Sequence, residues 1–448
     1  MFEHRLTSEE VALIEKIKVL VRGKHQDDKD HDYSHVATVA DYAIRIAQAI
    51  PEPVNPFLVI AAALLHDVGR IVEHTVIVHG LEGAALADEY LRSAGVALRE
   101  RAIIRSSVAR HTPTTPFPPA TVVDQIVYDA DALDRLGLIG LLRAFIDLQG
   151  STAAILEQGI QKRLGQFDTL HFPVSRQIGQ PKHEETLELV ALIRGALWRR
   201  QQELATIPWP VPAGAIVRVP LPIFPDSIAG MPRPPEWESA RPSFSFECVL
   251  TPGEVNLLEE IAHFTEVMHR DRKTYDYAHV LSVVNYALCI AGTLAEPVDP
   301  FVLICGALFH DIGRIGTLGS ELHSLRGALI AREYLSLVGV SPARVDHITD
   351  VILRHTSLSG LSPTTVEEQI VADADCLAGL GLIGLLRRII RGTGSTFTIM
   401  EDSSHAARQQ IEQLCLVESQ RLAEVLHAEM QIMIPYFEQA LAARRDQV

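Results

Sequence analysis

Cysteine, tryptophan and positive charge are what this 448-residue sequence has least of. All five cysteines fall in the second half, at positions 248, 289, 305, 376 and 415, and none forms a CxxC pair. That usage argues against a disulfide framework and for a reducing compartment. No apolar run is long enough to span a bilayer; the longest, at 59–65, stops at His66 and Asp67. The N-terminal stretch carries charges early and lacks the apolar core of a cleavable signal peptide. A soluble, cytoplasmic chain without a membrane partner is therefore expected. Lys and Arg number 40 against 56 Asp and Glu, for a net charge of −16. A surface of that sign repels polyanions and excludes nonspecific binding to long nucleic acid. Small phosphorylated molecules stay admissible, because a bound metal inverts the field locally. A serine or cysteine nucleophile elbow is also absent.

What the sequence does contain is a copy of itself. Shifted by 244 positions, HDYSHVATV at 31–39 lies over YDYAHVLSV at 275–283, and LLHDVGRI at 64–71 over LFHDIGRI at 308–315. DADALDRLGLIGLLR at 129–143 lies over DADCLAGLGLIGLLR at 373–387. The correspondence runs without a gap over about 150 residues and fades after Ile155 and Ile399. One domain is present twice. A Pro-rich stretch separates the copies, and proline at that density reads as an extended linker. The expected layout is a first domain at 1–206, a linker at 207–246 and a second domain at 247–448.

Within each copy the patterning is helical. Val36, Val39, Ala40, Ala43 and Ile46 follow the i, i+3, i+4 spacing of an amphipathic helix. Pro56 suits the first turn of a helix running to His66. Segments 81–91 and 99–110 read as helices parted near Gly95, and 125–146 as another, broken around Gly137 and Gly140. Strand alternation is scarce, so the expected fold class is all-α: two tandem helical bundles.

Six His and Asp positions recur at the 244 offset: His35, His66, Asp67, His79, His111 and Asp131, matched by His279, His310, Asp311, His323, His355 and Asp375. Packing alone gives a bundle no reason to keep such a set twice. Imidazole and carboxylate together suit Fe, Mn, Zn, Ni or Co, and several helices of a bundle can each aim one or two such groups inward. His66 and Asp67 are neighbours, so both can reach one centre only where the helix relaxes; Val68 and Gly69 supply that end. Asp67 would then bridge two ions. Arg70 and Arg314, one turn on, and Arg110 and Arg354, beside the fourth histidine, are candidates for holding phosphate oxygens. Asp129 and Asp373 are expected to cap or support rather than to ligate.

The ordered H…HD…D set, with HDVG and HDIG at its centre, resembles the HD superfamily of metal-dependent phosphohydrolases. The additional His79 and His111 are similar to its H–HD–H–H–D subgroup. The resemblance covers both repeats, about two thirds of the chain. It implies tandem HD domains holding one or two divalent transition metals each, with Mg also admitted. The implied function is a hydrolase that uses metal-activated water on a small phosphorylated substrate of the nucleotide class. Asp67 and Asp311 would be catalytic, with Arg70 and Arg314. Two alternatives use the same ligands: a di-iron oxygenase and a nucleotide-binding regulatory module. The GYP extension of cyclic-di-GMP phosphodiesterases is absent. Duplication further suggests that the two domains pair within the chain, as single HD domains would in a homodimer.

Overall fold

The computed structural model describes residues 2–25, 33–71, 79–113, 115, 117–206, 216–217, 246–247, 249–270, 272–273, 275–315 and 322–445. Nearly all of the Pro-rich segment expected as a linker at 207–246 lies outside these residues. Its two described pieces, β1 (Ile216–Val217) and β2 (Phe246–Glu247), pair antiparallel, Ile216 opposite Glu247. Every other named element is helical.

Matched caps set matched helices. Thr7 and Glu10 form a capping box that starts α1 (Ser8–Lys24), and Thr251 and Glu254 repeat it for α10 (Pro252–His269). Asn55 accepts from the amides of Phe57 and Leu58, with Pro56 at the first helical position, so α3 (Pro56–Leu65) begins sharply. Asp299 and Pro300 do the same for α12 (Pro300–Phe309). Both helices are apolar all round because each is buried among its neighbours. Around them stand α2 (Tyr33–Ala49), α4 (His79–Ser93), α5 (Leu98–Arg110) and α6 (Val122–Asp134) in the first copy. Their counterparts are α11 (Tyr277–Ala291), α13 (His323–Leu337), α14 (Pro342–Arg354) and α15 (Val366–Ala378).

The helix expected over 125–146 is two helices. After α6 the chain turns at Arg135 and Leu136, and α7 (Gly137–Ile146) starts from Gly137 at φ +75°. A Cβ on Gly140 would lie 1.9 Å from the Arg135 carbonyl, so the corner admits glycine alone there. In the second copy α16 (Gly381–Arg391) repeats this, with Gly381 at φ +70°. Next come α8 (Thr152–Leu164) and α9 (Pro173–Thr206), matched by α17 (Thr396–Glu412) and the broken pair α18 (Val417–Gln431) and α19 (Ile434–Arg445).

The duplication extends further in space than in the readable sequence. Glu185 on α9 accepts from the Leu138 amide, and Glu429, 244 positions on, accepts from the Leu382 amide at 3.1 Å. The core divides unevenly. One apolar cluster is built on α1–α6, with Leu170 and the start of α9 packed against it, whereas α7, α8 and the later part of α9 share a cluster with the second copy. The equivalent helices α7 and α16 touch each other. Around them the Thr152 amide donates to Asp276 at 2.5 Å, Lys273 donates to the Ile146 carbonyl at 2.7 Å, and Arg199 pairs with Glu429. Among the described residues no single helix is long and apolar enough to cross a membrane; α15 and α16 meet the test only as a pair bent by 79°.

Candidate metal centres

Each copy draws its six matched side chains from five places. His35 sits in the first turn of α2, His79 opens α4, His111 ends α5 and Asp131 lies on α6. His66 caps the end of α3, after which the chain tightens into a 3-10 turn at Val68–Ile71. That change of pitch lets the adjacent His66 and Asp67 face the same interior. Gly69 does more than end a helix. A Cβ there would meet the His79 carbonyl at 2.1 Å and the Gly83 amide nitrogen at 2.4 Å. Glycine thus lets the turn carrying Asp67 lie directly on the start of the helix carrying His79. Gly313 is equivalent, 1.9 Å from the His323 carbonyl.

All six side chains of the first copy are buried, and Asp67 stands at their centre. Its Oδ2 lies 3.4 Å from His35 Nε2 and 3.5 Å from His66 Nε2. Its Oδ1 lies 3.2 Å from His111 Nε2 and 3.7 Å from His79 Nε2. One carboxylate is therefore shared by two histidine pairs. The second copy repeats the pattern: Asp311 Oδ2 faces His279 and His310 at 3.6 Å each, and Oδ1 faces His323 at 3.6 Å and His355 at 3.9 Å. Asp131 and Asp375 reach the first pair of each copy, 3.7 Å and 3.3 Å from His35 and His279.

The donor set fits divalent ions. At metal–ligand distances of about 2.1 Å, neighbouring donors stand roughly 3.0–3.4 Å apart around an octahedral or tetrahedral ion. The facing imidazole nitrogens stand at 3.1 Å for His35–His66 and 3.3 Å for His79–His111. His66 and His111 each place Nδ1 2.7 Å from the carbonyl three residues back, Ala63 and Val108. His310 and His355 do likewise, to Ala307 and Ile352. Nδ1 therefore carries the proton, and Nε2 is left as a lone pair aimed inward. His35 Nδ1 lies 2.7 Å from the Asp134 carboxylate, so in the first copy two lone pairs confront each other at 3.1 Å. A cation between them resolves that opposition.

Ionisation agrees with this arrangement at His111, His310, His355, Asp131 and Asp311, and runs the other way at His66. Burial lowers His111, His310 and His355, favouring the neutral ligand form. Burial also works against a charged His66, but the Asp67 and Asp131 carboxylates outweigh it and raise its pKa. Burial would raise Asp131, yet Arg135 and the surrounding histidines hold it below the ordinary range. Asp311 is held well below that range, where His310 and Arg314 overcome burial. The carboxylates are thus anionic, as ligands must be.

The arginines divide. Arg70 Nε donates to Asp67 Oδ1 at 3.0 Å and Arg314 Nε to Asp311 Oδ1 at 2.5 Å, so both belong to the centres. Arg110 and Arg354, expected to hold substrate, turn instead to the loop that follows them. They donate to the carbonyls of Pro118 and Ser362, at 2.5 Å and 2.8 Å, and lie near the capping residues Asp124 and Glu368. Nη1 of each ties down that loop. Asp129 and Asp373 reach no centre and instead hold the chain entering α9 and α18, accepting from the amides of His171 and Phe172 and of Cys415 and Leu416.

Three groups lie outside the six matched positions. Arg135 pairs with Asp131 at the mouth of the first centre, where the second copy has Gly379. Arg143 and Arg387 are buried behind the first histidines; their signal was one matched charge in an otherwise apolar GLIGLLR helix. His25 and His269 form a further histidine pair at the 244 offset, both 1% exposed. His269 Nδ1 lies 2.7 Å from the Tyr275 carbonyl, and its buried Nε2 has no hydrogen-bond partner.

A family model described as HD domain matches the chain twice, over residues 32–136 and 276–380. Both matches span their copy's first histidine, HD pair and last aspartate. The chain is 25% identical over 201 residues to YpgQ of Bacillus subtilis, an alignment covering 40% of this chain and 92% of YpgQ. The crystal structure of YpgQ in complex with ADP covers 42% of this chain and 96% of its own at 21% identity, with a TM-score of 0.35. A structure described as a predicted HD superfamily hydrolase, from an uncultured Thermotogales bacterium, covers 41% of this chain and 92% of its own at 24% identity, with a TM-score of 0.31.

Proposed function

The chain belongs to the HD superfamily and carries the HD domain twice, and from that premise we propose that it is a metal-dependent phosphohydrolase acting on a small phosphorylated substrate of the nucleotide class. One observation carries the reading: a single buried carboxylate, Asp67 or Asp311, is shared by two pairs of inward-facing imidazoles. That arrangement suits two adjacent cations bridged by the aspartate. His35, His66 and Asp131 would complete one position, and His79 with His111 the other. The second copy would use His279, His310 and Asp375, with His323 and His355. Divalent ions such as Mn, Fe, Co, Ni or Zn, when bound there, lower the pKa of a water toward neutrality and polarise a phosphoryl oxygen.

The protein's own part is positional and electrostatic. Asp67 and Asp311 hold the two donor sets in register, and the Nδ1 contacts keep the imidazoles aimed. Arg70 and Arg314 stand at the rim, with side chains 18% and 15% exposed, and can turn an Nη–H toward a phosphate oxygen while Nε stays on the aspartate. No side-chain nucleophile is required. Arginine charge at the rim would offset the build-up on the phosphoryl oxygens as a water oxygen bonds to phosphorus and the leaving-group oxygen departs. Arg110 and Arg354 have no part in this reading.

The test uses the full chain, stripped and reloaded with Mn or Co, against mono-, di- and cyclic nucleotides and dinucleoside polyphosphates. Joint His66→Ala, Asp67→Ala, His310→Ala and Asp311→Ala substitution is expected to abolish most of the turnover. Full turnover in that variant would overturn the assignment. Oxygen uptake by iron-loaded protein, with no phosphate released, would favour the oxygenase alternative instead.

A further inference from the structure

The two centres share their ligands but differ in what stands behind the first histidine. In both copies a buried arginine stands against Nδ1 of the first histidine, but in the first copy Arg143 Nη1 is held off at 3.2 Å, pairing with Asp134, whose Oδ2 makes the shorter contact with His35 Nδ1 at 2.7 Å. In the second copy the position of Asp134 is Ala378, whose methyl accepts nothing. There the buried Arg387 places Nη1 2.8 Å from His279 Nδ1 and 3.3 Å from the Ala378 carbonyl.

A guanidinium offers donors only, so at 2.8 Å His279 Nδ1 must be the acceptor. Its proton then sits on Nε2, which lies 3.3 Å from Asp375 Oδ1 and 3.3 Å from His310 Nε2. That proton fills the place where a metal would take the lone pair. His35 is in the opposite state: the Asp134 carboxylate accepts the Nδ1–H at the shorter distance, so Nε2 keeps its lone pair. We infer that the two centres differ in metal affinity, Asp134 making the first the tight site and the Ala378–Arg387 pair making the second the weak one. The inference rests on the metal-centre reading above and names the residues that set each centre's strength. Asp134 and Arg387 are positioning residues; neither reaches the ions.

One difference runs the other way. Arg135 covers Asp131 in the first copy, and Asp375 is more exposed, at 27% of its side chain. Arg135 lies at a helix end with 15% of its side chain exposed, so an arriving cation displaces it toward water. Arg387, at 3% exposure, has no comparable way out. For His279 to ligate, its proton must move to Nδ1 and stand donor against donor with a buried guanidinium. Losing a partner of this kind weakens metal binding by about 10–100-fold.

The experiment titrates Mn(II) or Co(II) calorimetrically into two full-length variants, each keeping one centre. His310→Ala with Asp311→Ala leaves the first; His66→Ala with Asp67→Ala leaves the second. The first centre is expected to bind about 10–100-fold more tightly. Ala378→Asp, added where only the second centre remains, should recover much of that difference, a gain that misfolding cannot mimic. Asp134→Ala, added where only the first remains, should lose it. Affinities equal within twofold, or no gain from Ala378→Asp, would overturn the inference while leaving the metal centres standing. No binding by either variant would overturn both.

Discussion

Replacing Gly69 by alanine adds one methyl group at the most crowded backbone contact of the first centre. The new Cβ would lie 2.1 Å from the His79 carbonyl oxygen, 2.4 Å from the Gly83 nitrogen and 2.8 Å from the Gly83 Cα. All three are backbone atoms, so no side chain can swing aside. Ordinary carbon contacts begin near 3.5 Å, so the 3-10 turn and the start of α4 must part by roughly 1 Å. Overpacking of this kind costs about 1–3 kcal/mol, which lowers the melting temperature of a domain this size by about 2–10 °C. The functional cost is larger. Asp67 is two residues before Gly69, and His79 is the residue struck. Metal sites tolerate about 0.2 Å in ligand position, so the Asp67–His79–His111 position should lose its ion while the His35–His66 side of Asp67 suffers less. Metal stoichiometry and calorimetry on Gly69→Ala check this. Gly23→Ala is the control: nothing lies within 4 Å of a Cβ there, the residue is helical, and the exchange should stabilise by about 0.5–1 kcal/mol. Unchanged metal content and a melting temperature within a degree of the parent for Gly69→Ala would refute the close-approach argument.

Two further outcomes concern the junction between the copies. Glu203, on α9 where it faces the second copy, is raised to about 7 by burial and by the charge of Glu429. Between its unfolded value near 4.5 and 7, the folded state holds the proton and the unfolded state does not, so stability falls as pH rises through that window. Glu203→Gln should therefore raise the melting temperature at pH 8, by the equivalent of about 1–3 kcal/mol, and change little at pH 4; equal shifts at both would contradict the assignment. Asp276 caps α11 through the His279 amide at 3.0 Å and accepts the Thr152 amide from the other copy at 2.5 Å. Asp276→Ala leaves a buried N–H without its acceptor, and calorimetry should show a loss of about 1–3 kcal/mol; an unaltered unfolding profile would mean that this bond does not couple the copies.

The candidate ligands were legible because chemistry restricts them to a few residue types and the duplication printed them twice. The helical class was legible for a similar reason: matched N-caps at Thr7 and Thr251, and Asn55 and Asp299, frame runs of 3.6-residue periodicity. What the sequence hid depends on where the chain bends. The turn at Arg135 and Leu136 swings α7 back across the bundle, bringing Arg143 behind His35; without that corner Arg143 is only a charge in an apolar helix. Asp134 was visible as a difference from Ala378, but its partner is 99 residues away in sequence. Arg110 and Arg354 were singled out by adjacency to a candidate ligand, which says nothing about which way a long side chain turns; each turns one Nη1 to the following loop. The matched pairs His183–His427 and Glu185–Glu429 lie in a stretch whose apolar residues have diverged, so the repeat seemed to end where its structure continues.

Helices α7 and α16 connect the interface to the sites. They touch each other across the junction, and each carries the buried arginine that stands behind the first histidine of its own copy. In a homodimer of single domains, any change to that outer layer appears at both sites at once, so a substitution that weakens one centre weakens its twin. Fusion removes the constraint. The interface residues of α7 and α16 must remain mutually complementary, whereas Asp134 and Ala378, one on each copy, are free to differ. The first copy keeps the carboxylate that orients a ligand; the second gives that space to Arg387. A fused pair can thus hold two centres of different metal affinity on one shared scaffold, and the difference requires no change to any of the twelve ligand positions.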